Sequence, residues 1–207
     1  MGIEIKIPEA RMSFEVLGAP ESFQGDPKNT PRWSCVWLIP AGSATQKAVD
    51  AAVEKLGVEK WGKKWPSIKK AIASNPLKMC WQDGDNKSED YDGYAGHWAL
   101  STHRKVKDGR PIILDNDASP IYDAQGNFYP GKAGRLYGGC YIRGTVEIYG
   151  YDNTGSGIAG SFSVIQRIRK GDAFGGGKPA DASGYAAVDD ADDSEAMGAD
   201  EATEDLG

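Results

Sequence analysis

The chain has 207 residues, 40% of them hydrophobic and 26% charged, with a formal charge of -6; that length suits one domain with a real core and is crowded for two. No run approaches the roughly eighteen apolar residues of a membrane helix, and the opening MGIEIKIPEARM has acids and no apolar centre, so neither a membrane span nor a signal peptide is expected. Cys35, Cys80 and Cys140 are widely separated and lack CxxC or HxxxH spacing, which predicts free thiols in a reducing compartment and no zinc site.

In chain order, Ile3, Ile5 and Ile7 alternate, then Met12, Phe14 and Val16 do the same, so the first strand is expected to break or bend at Pro8. A loop rich in Gly, Pro, Asp and Asn over 18–31 leads to a second strand, RWSCVWLI at 32–39, stopped by Pro40. Ser43 and Gln46 have the spacing of a capping box, and Ala48, Val49, Ala52, Val53 and Leu56 form an apolar stripe; a helix is expected from Ser43, ending at Gly57. The segment 59–74 is basic, with Lys60, Lys63, Lys64, Lys69 and Lys70 interleaved with Trp61 and Trp65, and Pro66 suits the first turn of its helix. It reads either as a solvated helical face whose tryptophans are core pegs or as a cationic lip beside a nucleic-acid groove.

A short strand over 75–81 is followed by a polar loop in which Asp83, Asp85, Glu89, Asp90 and Asp92 crowd together; without a distant partner they do not make the oxygen shell of a divalent ion. The third long strand is GHWALSTHR at 96–104, with His97 and His103 on one face but six residues, about 20 Å, apart, too far to share a metal or proton. Over 105–134 the chain reads as loop; Asp115, Asp117 and Ser119 mimic the start of an EF-hand, but Pro120 stands where glycine is required. No P-loop, GxSxG or helix-opening GxGxxG occurs, so nothing argues for an enzyme, and no cofactor is expected.

The most informative stretch is 135–152 with its echo at 158–169. Cys140, Ile142, Gly144, Val146, Ile148 and Gly150 share one face; Tyr141, Arg143, Thr145, Glu147, Tyr149 and Tyr151 share the other. After a turn, Phe162, Val164 and Ile168 are expected inward, and Ser161, Ser163, Arg167 and Arg169 outward. Two long antiparallel strands would then present Tyr141, Arg143, Tyr149, Tyr151, Arg167 and Arg169 on one surface, with Lys63, Lys64 and Trp65 as its lip. Past the glycines at 175–177, residues 178–207 hold ten acids against one lysine, -9, whereas the first 177 residues hold 23 bases against 20 acids, +3. So short of bulky side chains, the tail is expected to be disordered, and the domain to span 1–177.

Strand, strand, helices, then mainly glycine-bearing strands suits a mainly β protein: an OB-fold-like Greek-key barrel with a helical insertion and a disordered acidic C-terminal tail. Such barrels bind single-stranded nucleic acid through a cationic groove and aromatic stacking platforms; paired tyrosines and arginines also occur for strand stability alone. A tethered polyanion can compete for the groove and dock on other proteins, or serve only solubility. An acidic-tailed protein-interaction module without nucleic-acid binding is the alternative.

The succession ARMSFEVLGAPESF, RWSCVWLIP, YDGYAGHWALS and GRLYGGCYIRGTVEIYGYDNTGSGIAGSFSVIQRIRKGDAFGGG, closed by an acidic tail, resembles the bacteriophage single-stranded DNA-binding proteins of the Enc34 type. The similarity runs over nearly all of 10–177 and is most specific over 137–177. It implies an OB-fold that coats and protects single-stranded DNA without sequence preference during phage replication and recombination, with no catalysis, in the cytoplasm of the infected bacterium. It also implies that phage or host replication proteins meet the acidic tail, through Asp189, Asp190, Asp192, Asp193, Glu195, Asp200, Glu201, Glu204, Asp205 and Leu206. Tails of such relatives often end in an aromatic residue; here Leu206 must serve, or charge alone is read.

Overall fold

The computed structural model describes residues 2–22, 30–153 and 155–175. Its elements are β1 (Gly2–Glu21), β2 (Arg32–Pro40), α1 (Ala44–Trp61), α2 (Trp65–Ile72), β3 (Trp81–Asp83), β4 (His97–Lys105), β5 (Ile112–Leu114), β6 (Tyr141–Tyr151) and β7 (Gly157–Arg169). The strands follow the order β3-β4-β2-β1-β6-β7-β5, and a parallel contact of Thr102 with Gly160 joins β4 to β7. That contact closes β1, β2, β4, β6 and β7 into a five-stranded barrel, with β1 paired to both β2 and β6. This is the Greek-key closure of an OB-fold, with β3 and β5 as short outer strands.

One strand can serve two partners because β1 is 20 residues long and changes register three times, the last between Val16 and Glu21. The first shift lies between Ile7 and Ala10, where Pro8 has no N–H to give the ladder. Inward parity passes there from Ile7 to Ala10 and Met12, as the alternation predicts. A second shift, between Ser13 and Val16, is not legible in the pattern: Phe14 takes a left-handed φ of 46° and turns outward, 54% exposed.

The core gathers Ile7, Met12, Trp37, Val53, Leu56, Ile142, Ile148 and Phe162. A buried polar chain within it is closed, since the Trp37 indole donates to Thr102 Oγ1 at 2.9 Å and that hydroxyl donates to the Cys35 carbonyl at 2.8 Å. Cys35, Cys80 and Cys140 are buried free thiols. Helix α1 is capped as its sequence predicts, the Ser43 hydroxyl accepting the Gln46 amide at 3.1 Å. It does not end at Gly57. Gly57 is a close-approach residue, where a Cβ would stand 2.1 Å from the Trp65 ring, and the helix runs on to Trp61 before Gly62 closes it with a φ of 53°.

Three further expectations are corrected. The strand at 75–81 is only Trp81–Asp83, because Asn75 accepts the Lys78 and Met79 amides and turns the chain first. The loop at 105–134 contains β5, which pairs in parallel with β7. In β7, Thr145 faces Val164 while Val146 faces Phe162, so Ser163 is an extra residue and parity reverses beyond it. Ile165 and Arg167 therefore point inward, and Val164 and Ile168 do not.

Candidate nucleic-acid interface

Inward residues Trp33, Cys35 and Trp37 of β2 alternate with Ser34 and Val36, whose ladder partners on β4 are His103 and Ser101. With these small side chains, the outer face of β2 and β4 is a trough. Its volume is about 470 Å3, and Phe14, Arg32, Ser34, Val36, Leu77, Ser101, His103 and Ala159 line it. Leu38, farther along the same face, is buried in a small cluster with Tyr94 and Ala99, against which Val36 packs.

Aromatic groups stand at both sides. Phe14 meets Tyr91 edge-on at 5.0 Å, and the two rings are 54% and 42% exposed. A bulky residue held in the left-handed region is a backbone outlier of the kind that gathers at ligand clamps. Across the trough, Tyr149 faces the lining residue Ala159 in the β6–β7 ladder. Tyr151 lies over Gly157 and donates to the carbonyl of Leu77 at 3.1 Å, and Leu77 itself is 69% exposed.

Arg32 has Lys105 as its cross-strand partner on β4 and Glu21 on β1, so the rim carries two cations beside one carboxylate. His103 sits beneath them. Burial first, then the fields of Arg32 and Lys105, push its pKa down to about 4, so the ring is neutral at physiological pH. Burial likewise raises the Tyr149 phenol, so it too is uncharged and offers a stacking face without repelling phosphate.

Of the residues singled out in the sequence, only Tyr149 and Tyr151 stand beside this trough. Tyr141 lies eight residues, about 26 Å, down β6 from Tyr149, held between Arg11 at 5.6 Å and Arg169 at 3.3 Å from its ring centre. Arg169 in turn bonds Glu9 at 3.0 Å. Arg143 is exposed and donates to Gln166 at 2.9 Å. Arg167 is a correction: reversed by the bulge at Ser163, it is 5% exposed and pairs with buried Asp115 at 3.1 Å. Lys132 at 2.8 Å and Arg135 at 3.6 Å are further cationic partners of Asp115, so the false EF-hand start is an ion-pair hub tying the 115–135 segment to the barrel.

Trp65 is the other correction, at 2% exposed, stacked on Trp61 at 5.4 Å and donating to Glu54 at 2.8 Å. It is a core peg and has no face for a base. Lys63 and Lys64 are exposed on a 3-10 turn between the helices. The tail residues from Asp189 to Leu206 lie outside the described residues. Sequence reasoning missed Phe14, Arg32, His103, Tyr91 and Leu77. The alternation of Ser34 and Val36 with the inward tryptophans marked a wet face on β2; the register shift that exposes Phe14 had no signal.

The family described as Enterobacter phage Enc34, ssDNA-binding protein, matches residues 3–196. The chain belongs to the Enc34 single-stranded DNA-binding protein family. Protein p50 of Acyrthosiphon pisum secondary endosymbiont phage 1 is 36% identical to this chain over 193 residues, 92% of this chain and 94% of that one. The solved structure of the Enc34 protein in complex with ssDNA is similar with a TM-score of 0.64 at 20% identity, over 82% of this chain and 88% of that one. Gp2.5, a single-stranded DNA-binding protein encoded by bacteriophage T7, has a TM-score of 0.53 at 12% identity, over 91% of this chain and all of that one. At such identities these structures establish the shared fold, and the Enc34 family tie rests on the sequence.

Proposed function

We propose that this Enc34-family chain binds single-stranded DNA without sequence preference, in the cytoplasm of the infected bacterium, and coats it during phage replication and recombination. The observation that carries this reading is the open trough on the outer face of β2 and β4, flanked by Phe14, Tyr149 and Tyr151 and rimmed by Arg32 and Lys105. In OB-folds the second and third barrel strands are the oligonucleotide face, and β2 and β4 hold those places here. Aromatic faces take any base, and cations take the backbone. Family membership supports the same conclusion. No step of this function is catalytic. Domain 1–177 would bind the strand, and the acidic residues of 178–207 would meet replication proteins.

The test is a titration of labelled oligo(dT) against the full chain at several salt concentrations, read by fluorescence anisotropy. Affinity should fall with salt along a log–log slope of about -0.7 per phosphate contact. Tyr149→Ala should cost about 1–3 kcal/mol with that slope unchanged, and Arg32→Ala should reduce the slope by about 0.7. Tyr141→Ala, already held by two arginines on another part of β6, should change affinity less than about twofold, well under one stacking contact. No binding at any salt would leave a protein-interaction module.

A further inference from the structure

A second cavity lies on the other side of the chain segment 73–82. About 520 Å3 in volume, it opens between the two helices and the β3–β4 edge, the size of a site for one or two side chains. It shares no lining residue with the DNA trough: Ala73, Ser74, Met79 and Trp81 face it, while Pro76, Leu77 and Cys80 face the trough.

Its lining is net acidic. The wall is a pair of indoles, Trp81 and Trp98, stacked with centres 5.0 Å apart, over an apolar floor of Val53 and Met79. Around them stand three carboxylates, Asp50, Glu54 and Asp83, against a single ammonium, Lys69. Lys69 is spent on Glu54. The acids are also fixed in place: Asp50 accepts the Trp81 indole at 2.7 Å and Gln46 at 3.2 Å, Glu54 accepts the Trp65 indole at 2.8 Å, and Asp83 accepts the Asp85 amide at 3.0 Å.

Net negative charge repels DNA and repels the chain's own tail, which carries -9. A bare metal ion does not suit it, since among the described residues no three His, Cys, Asp or Glu side chains converge as ligands. What fits carboxylates beside indole faces over an apolar floor is a cation on an aliphatic stem. Its charge pairs with Asp50 or Asp83, its plane or ammonium lies on Trp98, and its methylenes cover Val53 and Met79. We infer that this cavity is the docking site for an arginine- or lysine-bearing segment of a partner protein. Because the site shares no lining residue with the trough, the partner binds while DNA is bound.

The test uses the full chain and two peptides, acetyl-Leu-Arg-Leu-Lys-amide and acetyl-Leu-Glu-Leu-Glu-amide, followed by the indole N–H resonances in NMR. All six tryptophans lie at or before residue 98, so the acidic tail, which a cationic peptide also attracts, contributes no signal. The cationic peptide should shift Trp81 and Trp98 saturably and leave Trp33 and Trp37 in place, and the acidic one should shift none. Asp50→Asn, which keeps an acceptor for the Trp81 indole, should weaken binding at least about fivefold, and Asp83→Asn likewise, with oligo(dT) affinity unchanged. Saturating oligo(dT) should leave the peptide affinity within about twofold. The inference is overturned if both peptides shift the same indoles, if the two Asn variants bind the peptide as well as the parent, or if oligo(dT) displaces it. It is equally overturned if Trp81 and Trp98 shift with protein concentration alone, because a second copy then fills the cavity. The peptide shifts and the effect of the two Asn variants on peptide binding do not depend on whether oligo(dT) binds the trough, so this inference and the proposed function fail separately.

Discussion

Two substitutions at Phe14 separate DNA affinity from stability. Its ring is half exposed at the edge of the trough, and its backbone sits at φ 46°. Replacing it by alanine removes one stacking platform, about 1–3 kcal/mol, which is roughly a 5- to 150-fold rise in Kd for oligo(dT). The same change loses the edge contact with Tyr91 at 5.0 Å, about 0.5–1.5 kcal/mol of stability. Glycine at this position loses both as well, yet it relieves a left-handed Cβ, roughly 1–2 kcal/mol, at about 0.5–1 kcal/mol of extra unfolded-chain entropy. Phe14→Gly should therefore bind as poorly as Phe14→Ala while unfolding about 0.5–1 kcal/mol later, or about 1–4 °C for a domain of this size. Anisotropy titration gives the first quantity and thermal unfolding by circular dichroism the second. Alanine binding within about twofold of the parent would remove Phe14 from the interface. A glycine variant less stable than the alanine one would mean that the left-handed backbone carries no strain.

Three further expectations follow from buried groups. His103 titrates near 4 when folded against an ordinary 6.5, so its contribution is complete above pH 6.5 and is lost as pH falls toward 4, in total roughly 3 kcal/mol; urea midpoints of the parent should show that slope, and those of His103→Gln should lack it. Burial pushes the Asp115 carboxyl up, but Lys132, the Asn116 amide and Arg167 together hold it below its ordinary value. Asp115→Asn should thus cost about 3–5 kcal/mol at pH 7 by leaving Arg167 buried without its anion, and should flatten the acid limb of stability below about pH 4, where the parent loses this term. Gly57→Ala gains about 1 kcal/mol of helix propensity but drives a methyl to 2.1 Å from the Trp65 ring; overpacking of about 1–3 kcal/mol should win, lowering the melting temperature, and a rise would show that the ring yields freely.

Local chemistry wrote much of this molecule into its sequence. Alternation along β6 assigned Ile142, Val146 and Ile148 to the core, Pro8 marked the first bend of β1, and Ser43 marked the start of α1; the outcomes agree because a period of two and a cap depend only on near neighbours. The family, and with it the barrel, was legible in the same way, through whole segments in a fixed order. What the sequence could not determine was where parity fails. Single extra residues in β1 and β7 send Phe14 out and Arg167 in, and a bulge is decided by the partner strand's register. Likewise Gly57 looks like a helix stop until Trp65 is seen lying against it. The trough itself belongs to no single segment: β1, β2, β4 and β7 contribute to it only after Thr102 meets Gly160 and the barrel closes.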